Sequence, residues 1–425
     1  MNKIKSKCIG IDARFYGPIG KGLGRYTQEI VDNIIKIDKD NEYIIFLRKE
    51  NFDEFLPPIG LGARVKKVIA DVKWYTLAEQ ILMPYVIWRE HVDLMHFPHF
   101  NVPVLCPAKF VVTIHDLILT KFPTARATTL GPILYKAKNF VYKIIIWLVV
   151  KRAKKIIAVS EFTKNDMVKQ FSVKPEKVVV TYEGVANLAK GRDSLFVAKL
   201  DDKKTLSAYN INNPFLLYVG NAYPHKNLEA LVRVFGKMAN RHSEPALRAK
   251  NPVENEQRLS TGSFAIAQDD DNKLSLVLVG KEDYFYKRIK DYAASLGLWR
   301  EGDALSPIIF PGYAPDAELE ILFQKALAYV FPSLYEGFGL PPLEAMAKGC
   351  PVISSNKASM PEILGGAAIY FNPEDEEEME KKIMKVVIDE NLRQDLRKRG
   401  FEQVKKYSWW ECARKTLEVY EEVLR

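Results

Sequence analysis

Cysteine is scarce and scattered in this chain. The four in 425 residues, Cys8, Cys106, Cys350 and Cys412, make no CxxC pair and no ligand spacing. That excludes a disulfide framework, argues against structural zinc and points to a reducing compartment. Long apolar runs are missing too, since none approaches the ~20 residues of a membrane span. The opening Met1–Lys7 carries charge but no apolar stretch before Gly10, so it does not read as a secretion signal. A cytoplasmic protein is expected. One stretch lacks acid altogether: between Lys121 and Lys155 there is no Asp or Glu. A convincing DxD metal motif is also missing. Asp38-Lys-Asp40 follows a helix and Asp269–Asp271 falls in a polar loop, so both read as solvated charge.

What is present is the composition of a globular protein, 48% hydrophobic and 27% charged with a net charge of +9. At 425 residues two domains are the default. The acid-free stretch carries Lys121, Arg126, Lys136, Lys138, Lys143, Lys151, Arg152, Lys154 and Lys155, interleaved with Phe140, Tyr142 and the run Ile144–Val149. It reads equally as a membrane-surface element drawn to anionic lipid and as a core helix with a solvated basic face. No recognition motif for nucleic acid accompanies the charge, and nucleic acid is not an expected partner.

In chain order, strands alternate with helices. Lys7–Asp12 is a short buried strand, followed by the Gly-rich loop Gly17–Tyr26 and an amphipathic helix through Ile37. Strand, glycine loop and helix form a layout that lets backbone approach a phosphate. Lys109–Ile114 is a later strand stopping on His115-Asp116. Ligands collect at the carboxyl ends of parallel strands, so His115 is placed for function. Ser160 reads as the N-cap of a helix over 161–171. The alternation restarts with Phe215–Gly220, the loop Asn221-Ala-Tyr-Pro-His225-Lys226-Asn227, and a helix from Leu228. The polar segment 242–272 interrupts a helix-to-strand link that ordinarily takes two to six residues, and reads as an inserted loop without chemistry.

The organising stretch is Phe331-Pro-Ser-Leu-Tyr-Glu336-Gly-Phe-Gly-Leu-Pro-Pro-Leu-Glu344-Ala-Met-Ala-Lys-Gly349. A strand runs into a glycine loop, Pro341 and Pro342 open a helix, and Gly349 closes it. The first turn of such a helix suits a phosphate. Glu336 and Glu344 flank that seat, and a carboxylate beside a phosphate must face something else. A sugar diol is the natural partner. The plainer alternative has Glu344 complementing the helix dipole.

These motifs together, Gly20–Tyr26, Gly220–Lys226 and Glu336…Glu344 within EGFGLPPLEA, resemble the retaining GT-B glycosyltransferases of family four, in particular the mannosyltransferase-like branch of O-antigen and surface-polysaccharide synthesis. The likeness runs over nearly the whole chain apart from 242–272. It implies an α/β fold of two doubly wound, Rossmann-like domains facing a central cleft. An acceptor-side domain over 1–200, a donor domain over 201–405 and a terminal helix over 406–425 folding back on the first domain are expected. It implies a nucleotide diphosphate-sugar donor, a saccharide or lipid-linked acceptor, and neither metal nor cofactor. Gly22, Gly24 and Arg25 would approach the donor phosphates, and Lys226, in the loop with Gly220 and Asn221, would pair with the pyrophosphate. Glu336 would face the donor sugar, with amides of Phe338, Gly339 and Leu340 holding sugar hydroxyls and phosphate. Glu344 would clamp the ribose, Gly312–Tyr313 would read the base, and His115 would stand beside the transferred sugar. GDP-mannose is the expected donor and the inner face of the plasma membrane the expected setting.

Many relatives carry an arginine in the pyrophosphate loop where this chain has Asn221 or His225, so a single fixed cation remains unless Arg25 or a protonated His225 compensates. Two rival readings stay open. One is an epimerase or hydrolase of sugar nucleotides on the same fold, and the other a silent scaffold that binds them.

Overall fold

The computed structural model describes residues 6–58, 60, 62–122, 143–185, 201–243 and 273–425. Segments 123–142 and 244–272, where most of the basic stretch and the expected insertion fall, lie outside the described residues. The chain divides into two compact units, Met1–Ala186 with Tyr407–Arg425, and Asn187–Lys406.

The first unit is built on a seven-stranded sheet of β1 (Cys8–Asp12), β2 (Glu42–Leu47), β3 (Val65–Ile69), β4 (Leu94–Phe97), β5 (Lys109–Ile114), β6 (Lys155–Ala158) and β7 (Val178–Val180). Its order is β3-β2-β1-β4-β5-β6-β7, with every pairing parallel. Runs such as Ile44-Ile45-Phe46-Leu47 are buried on successive residues, because helices cover both faces of a parallel sheet and leave no solvent side for polar residues. On one face, Met83 and Ile87 of helix Leu77–Arg89 join Ile146, Val149 and Val150 of helix 143–152 in a single core with Phe46, Met95 and Val112.

On the other side, helix Lys21–Ile37 packs against the terminal helix Trp409–Leu424. Tyr26, Ile30, Val31 and Ile34 of the former are buried, as are Trp409, Cys412, Ala413, Val419 and Tyr420 of the latter. Each large apolar side chain so buried contributes roughly 1.5–3 kcal/mol. The chain passes close against the terminal helix at Gly184, where an added Cβ would lie 2.1 Å from the Trp409 amide nitrogen. Helix Asp202–Ala208 falls in the second unit.

The second unit repeats the plan with β8 (Phe215–Val219), β9 (Ser275–Val279), β10 (Ile308–Gly312), β11 (Ala328–Phe331), β12 (Val352–Ser355) and β13 (Ala368–Phe371), all parallel, in the order β10-β9-β8-β11-β12-β13. In each sheet the strand order reverses once, between β1 and β4 and between β8 and β11. The carboxyl ends at such a switch point are where open α/β sheets hold ligands.

A buried polar chain fastens the terminal helix to the first sheet. Tyr420 Oη lies 2.5 Å from His96 Nδ1, His96 Nε2 lies 2.8 Å from Thr113 Oγ1, and Thr113 Oγ1 lies 3.1 Å from Tyr26 Oη. Burial pushes the His96 pKa down to about 3, so the ring is neutral and one nitrogen must accept. Tyr420→Phe strips His96 Nδ1 of its partner and should cost about 1–3 kcal/mol. Urea unfolding checks this, and an unchanged midpoint would show that the contact does not hold the helix.

Candidate active site

The second unit assembles its site at the β8–β11 switch point. After β8 the loop turns through Pro224–Lys226, a short 3-10 turn closed by Asn227 in the left-handed region at φ 58°. The Asn227 side-chain amide donates to the Pro373 carbonyl at 2.8 Å. The neighbouring loop after β11 is tied to it where the Leu334 amide donates to the His225 carbonyl at 2.8 Å. Lys226 Nζ and Glu336 Oε1 then meet at 2.5 Å, each side chain only 11% exposed. The ammonium also lies 5.3 Å from the Phe331 ring centroid.

Ser359 Oγ, 3.0 Å from the carbonyls of both Glu336 and Phe338, pins the loop that carries the glutamate. Gly339 has φ 100° and caps helix Leu340–Ala347. An added Cβ there would lie 2.3 Å from Met360 Cε, so only glycine fits both the turn and the space. Leu340 thus becomes the first helical residue, one ahead of the expected Pro341, and the amides of Gly339 and Leu340 stand at the helix start. Glu344 is half-buried on that helix. Burial first, then the charges of Glu336 and Glu344, hold the Tyr329 hydroxyl well above its usual range, so both carboxylates act on one buried ring.

The loop glycines of three strands are laced together. The Gly220 amide donates to Val279 O at 3.0 Å, and the Gly280 amide to Gly312 O at 2.9 Å. This puts Gly220 and Gly312 on the same carboxyl edge, with Tyr313 beside them 71% exposed. Asn221 is used locally: its carbonyl accepts from Tyr218 Oη at 2.7 Å and its Oδ1 from the Tyr223 amide at 3.3 Å. His225 is no substitute cation. Burial first, then Lys226, push its pKa down to about 4 against the pull of Glu336, so the ring is neutral near pH 7. Lys226 remains the one cation of the 220–227 loop.

In the first unit the expected Gly-rich loop is shorter than the sequence suggests. Pro18–Gly20 forms a 3-10 turn and the helix starts at Lys21, so Gly22, Gly24 and Arg25 lie in its opening turns. The two glycines differ. A Cβ on Gly24 would sit 2.1 Å from Gly17 O, whereas one on Gly22 would meet nothing within 4 Å. Gly24 therefore lets the helix close on its own loop, and Gly22 alone leaves open space. Asp38, expected to be solvated, is buried and accepts from Tyr43 Oη at 2.5 Å and from the Asn41 amide side chain at 2.8 Å.

His115 follows β5. Its Nδ1 lies 2.9 Å from Glu183 Oε1 and its Nε2 2.9 Å from Pro98 O. A carbonyl and a carboxylate both accept, so both nitrogens carry hydrogen and the ring is an imidazolium. Burial opposes that charge, but the Glu183 hydrogen bond and charge, followed by the Pro98 carbonyl, outweigh it and raise the pKa. Both ring nitrogens are therefore engaged by protein acceptors, which fixes the ring at the end of β5. Glu183 had no sequence signal, being 68 residues away. His99, readable from its place just past β4, was also missed. Its Nδ1 is buried with no hydrogen-bond partner among the described residues, and its ring lies 6.1 Å from that of His115.

Two all-parallel α/β sheets, each with one reversal of strand order, have the plan of the GT-B glycosyltransferases. The chain belongs to that class through both halves: residues 21–186 match the family model Glycosyltransferase Family 4 and residues 201–403 the model Glycosyl transferases group 1. It is 26% identical over 415 residues to the O-antigen chain mannosyltransferase B of Escherichia coli, covering 94% of this chain and 95% of that one. With the O-antigen chain mannosyltransferase RfbU of Salmonella typhimurium it shares 24% over 377 residues, 87% and 88% of the two chains. In fold it is similar to HepE of Anabaena, solved in complex with UDP and glucose, at a TM-score of 0.65 and 15% identity over 98% of this chain and 100% of that one.

The raised pKa of His115 has a consequence for stability. The group lies above its ordinary 6.5 in the folded chain, so its contribution is complete below about 6.5 and is lost as pH rises through the folded value. His115→Gln should remove the part of the stability loss that occurs above about pH 6.5. Urea titrations at a series of pH values measure it, and an identical slope in both proteins would show that the ring is not an imidazolium.

Proposed function

We propose that the chain transfers a sugar, with its anomeric configuration retained, from a nucleotide diphosphate-sugar to a hydroxyl of a saccharide or lipid-linked acceptor in cell-surface polysaccharide assembly. GDP-mannose is the proposed donor, in keeping with the two mannosyltransferase relatives. The observation that carries this reading is the Lys226–Glu336 pair, 2.5 Å apart across the second switch point. A diphosphate arriving there competes for the ammonium and frees Glu336 to accept from hydroxyls of the sugar.

When the bond between the anomeric carbon and the diphosphate breaks, its electron pair stays with the diphosphate. Lys226 and the amides of Gly339 and Leu340 stabilise that growing negative charge. Glu344 accepts from the ribose diol and Tyr313 stands where the base is read. No step requires a metal ion, and full activity is expected in excess chelator. The protein works at the inner face of the plasma membrane as a peripheral element.

A silent sugar-nucleotide-binding scaffold is the second reading, favoured by the neutral His225 that leaves Lys226 alone. An epimerase or hydrolase would instead consume donor without acceptor. A carboxylate–diol contact is worth roughly 1.5–3 kcal/mol, so Glu344→Ala should weaken donor binding about 10- to 100-fold. Calorimetric titration with GDP-mannose decides it. Unchanged affinity would remove Glu344 from the ribose, and binding without turnover on any acceptor would favour the scaffold.

A further inference from the structure

Helix Leu77–Arg89 is apolar on both sides. Its inward face carries Met83 and Ile87 into the core, and Glu79 to Arg14, which is itself fully buried. Its outward face carries Leu77 (85% exposed), Ile81 (71%), Tyr85 (57%) and Trp88 (60%), with Leu82 (48%) at the margin. At 3.6 residues per turn the first four fall within an arc of about 80°. An ordinary surface helix puts charge there. Arg89, at the last turn, is the one charged residue on this side. Glu79 points inward, and Glu90, just past the helix, is already paired with Lys66 at 2.5 Å and Arg89 at 3.2 Å.

The stripe does not stand alone. Helix 143–152 packs into the same core on the same face of the sheet and turns Ile144 and Trp147 outward, 43% and 46% exposed. Lys151 Nζ lies 4.8 Å from the Trp147 ring centroid. The loop between the two helices is tied to both, the Val104 amide donating to Gln80 Oε1 at 2.8 Å and Arg152 to the Cys106 carbonyl at 3.3 Å. Leu105, between those ties, is 72% exposed. Contiguous apolar surface of this kind marks an interaction site.

Charge selects the occupant. Where helix 143–152 ends, Lys151, Arg152, Lys154, Lys155, Lys174 and Lys177 surround a hollow of about 420 Å³ at the amino-terminal end of β6. Among the described residues the acids there are Glu176, in the lining, and Glu422, which pairs with Lys155 at 2.6 Å. Burial first, then the Lys154 charge, hold Lys177 below the usual lysine range, as expected of crowded cations. An apolar stripe with aromatic residues and a basic border is the pattern of an element lying in the headgroup region of an anionic bilayer. A partner protein of ordinary composition would leave this border unmatched.

We infer that the outer face of helices 77–89 and 143–152, with Leu105 between them and the lysine cluster at its border, is the surface by which the first unit lies on an anionic lipid membrane. The inference rests on the peripheral-membrane part of the proposed function and gives it an address. It extends the apolar contact from the stretch 121–155 onto helix 77–89, and it needs neither the identity of the sugar nor that of the base.

The test is co-sedimentation of the full chain with vesicles of phosphatidylcholine alone and of phosphatidylcholine with phosphatidylglycerol, at low and high salt. Binding to the anionic vesicles is expected, weakened at least tenfold by the double variant Ile81→Ser/Trp88→Ser. The variant Lys151→Glu/Lys154→Glu should lose most of the salt-sensitive part. Both variants change exposed side chains, and an unaltered thermal transition confirms folding. Full binding by the Ile81/Trp88 variant overturns the inference, as does failure of the wild type to bind the anionic vesicles. Concentration-dependent dimers in light scattering, lost in that variant and without vesicle binding, would assign the face to a second copy instead. Vesicle binding that persists in a protein with no affinity for any nucleotide sugar would overturn the donor reading and leave this one standing.

Discussion

The candidate site of the second unit is organised around one ion pair. Lys226 and Glu336 come from loops 110 residues apart and meet because β8 and β11 are neighbours at a reversal of strand order. Two opposite charges, mostly withdrawn from water, cost free energy to desolvate and regain it only in good geometry. The surrounding bonds supply that geometry: Leu334 to His225, Asn227 to Pro373, and Ser359 across the Glu336 turn. The pair also keeps the site in a defined state without ligand. In the proposed reaction a phosphate would take the lysine and hand the carboxylate to hydroxyl groups, so one arrangement would serve both rest and binding.

The first unit shows the same economy with different groups. His115 holds a positive charge between Glu183 and the Pro98 carbonyl, and Gly184, next along the chain, is pressed against Trp409. The residue fixing the histidine thus adjoins the one receiving the terminal helix. The neutral His99 nitrogen beside this cation is a polar atom without a partner among the described residues, at the carboxyl edge of the sheet. Buried polar groups without partners are uncommon.

Local signals made much of this legible in the sequence. The glycine and proline punctuation around 331–349 located β11 and its helix, the alternation of strands and helices gave two doubly wound units, and His115 sits at its strand end as read. What sequence could not show was long-range pairing. Nothing near His115 announces Glu183, and nothing near Arg14 announces Glu79, which it meets across 65 residues. In the stretch Leu77–Arg89 apolar residues fall on both sides of the helix, and only the fold reveals which half is covered. The glycines at 22 and 24 look alike in the sequence, yet the packing gives them separate tasks. His225 could pass for a spare cation until its burial is known.

The most direct test of the donor site is a thermal-shift panel of GDP-, UDP-, ADP- and dTDP-sugars without metal, run on the wild type and on Lys226→Ala. A ligand at 100 times its Kd adds about 2.7 kcal/mol to the folded state, enough for one donor to stand apart. The account predicts that a single nucleotide sugar raises the transition of the wild type and leaves that of Lys226→Ala where it was. An equal shift in both proteins would show that the diphosphate does not bind at Lys226, and would contradict the role given to the Lys226–Glu336 pair.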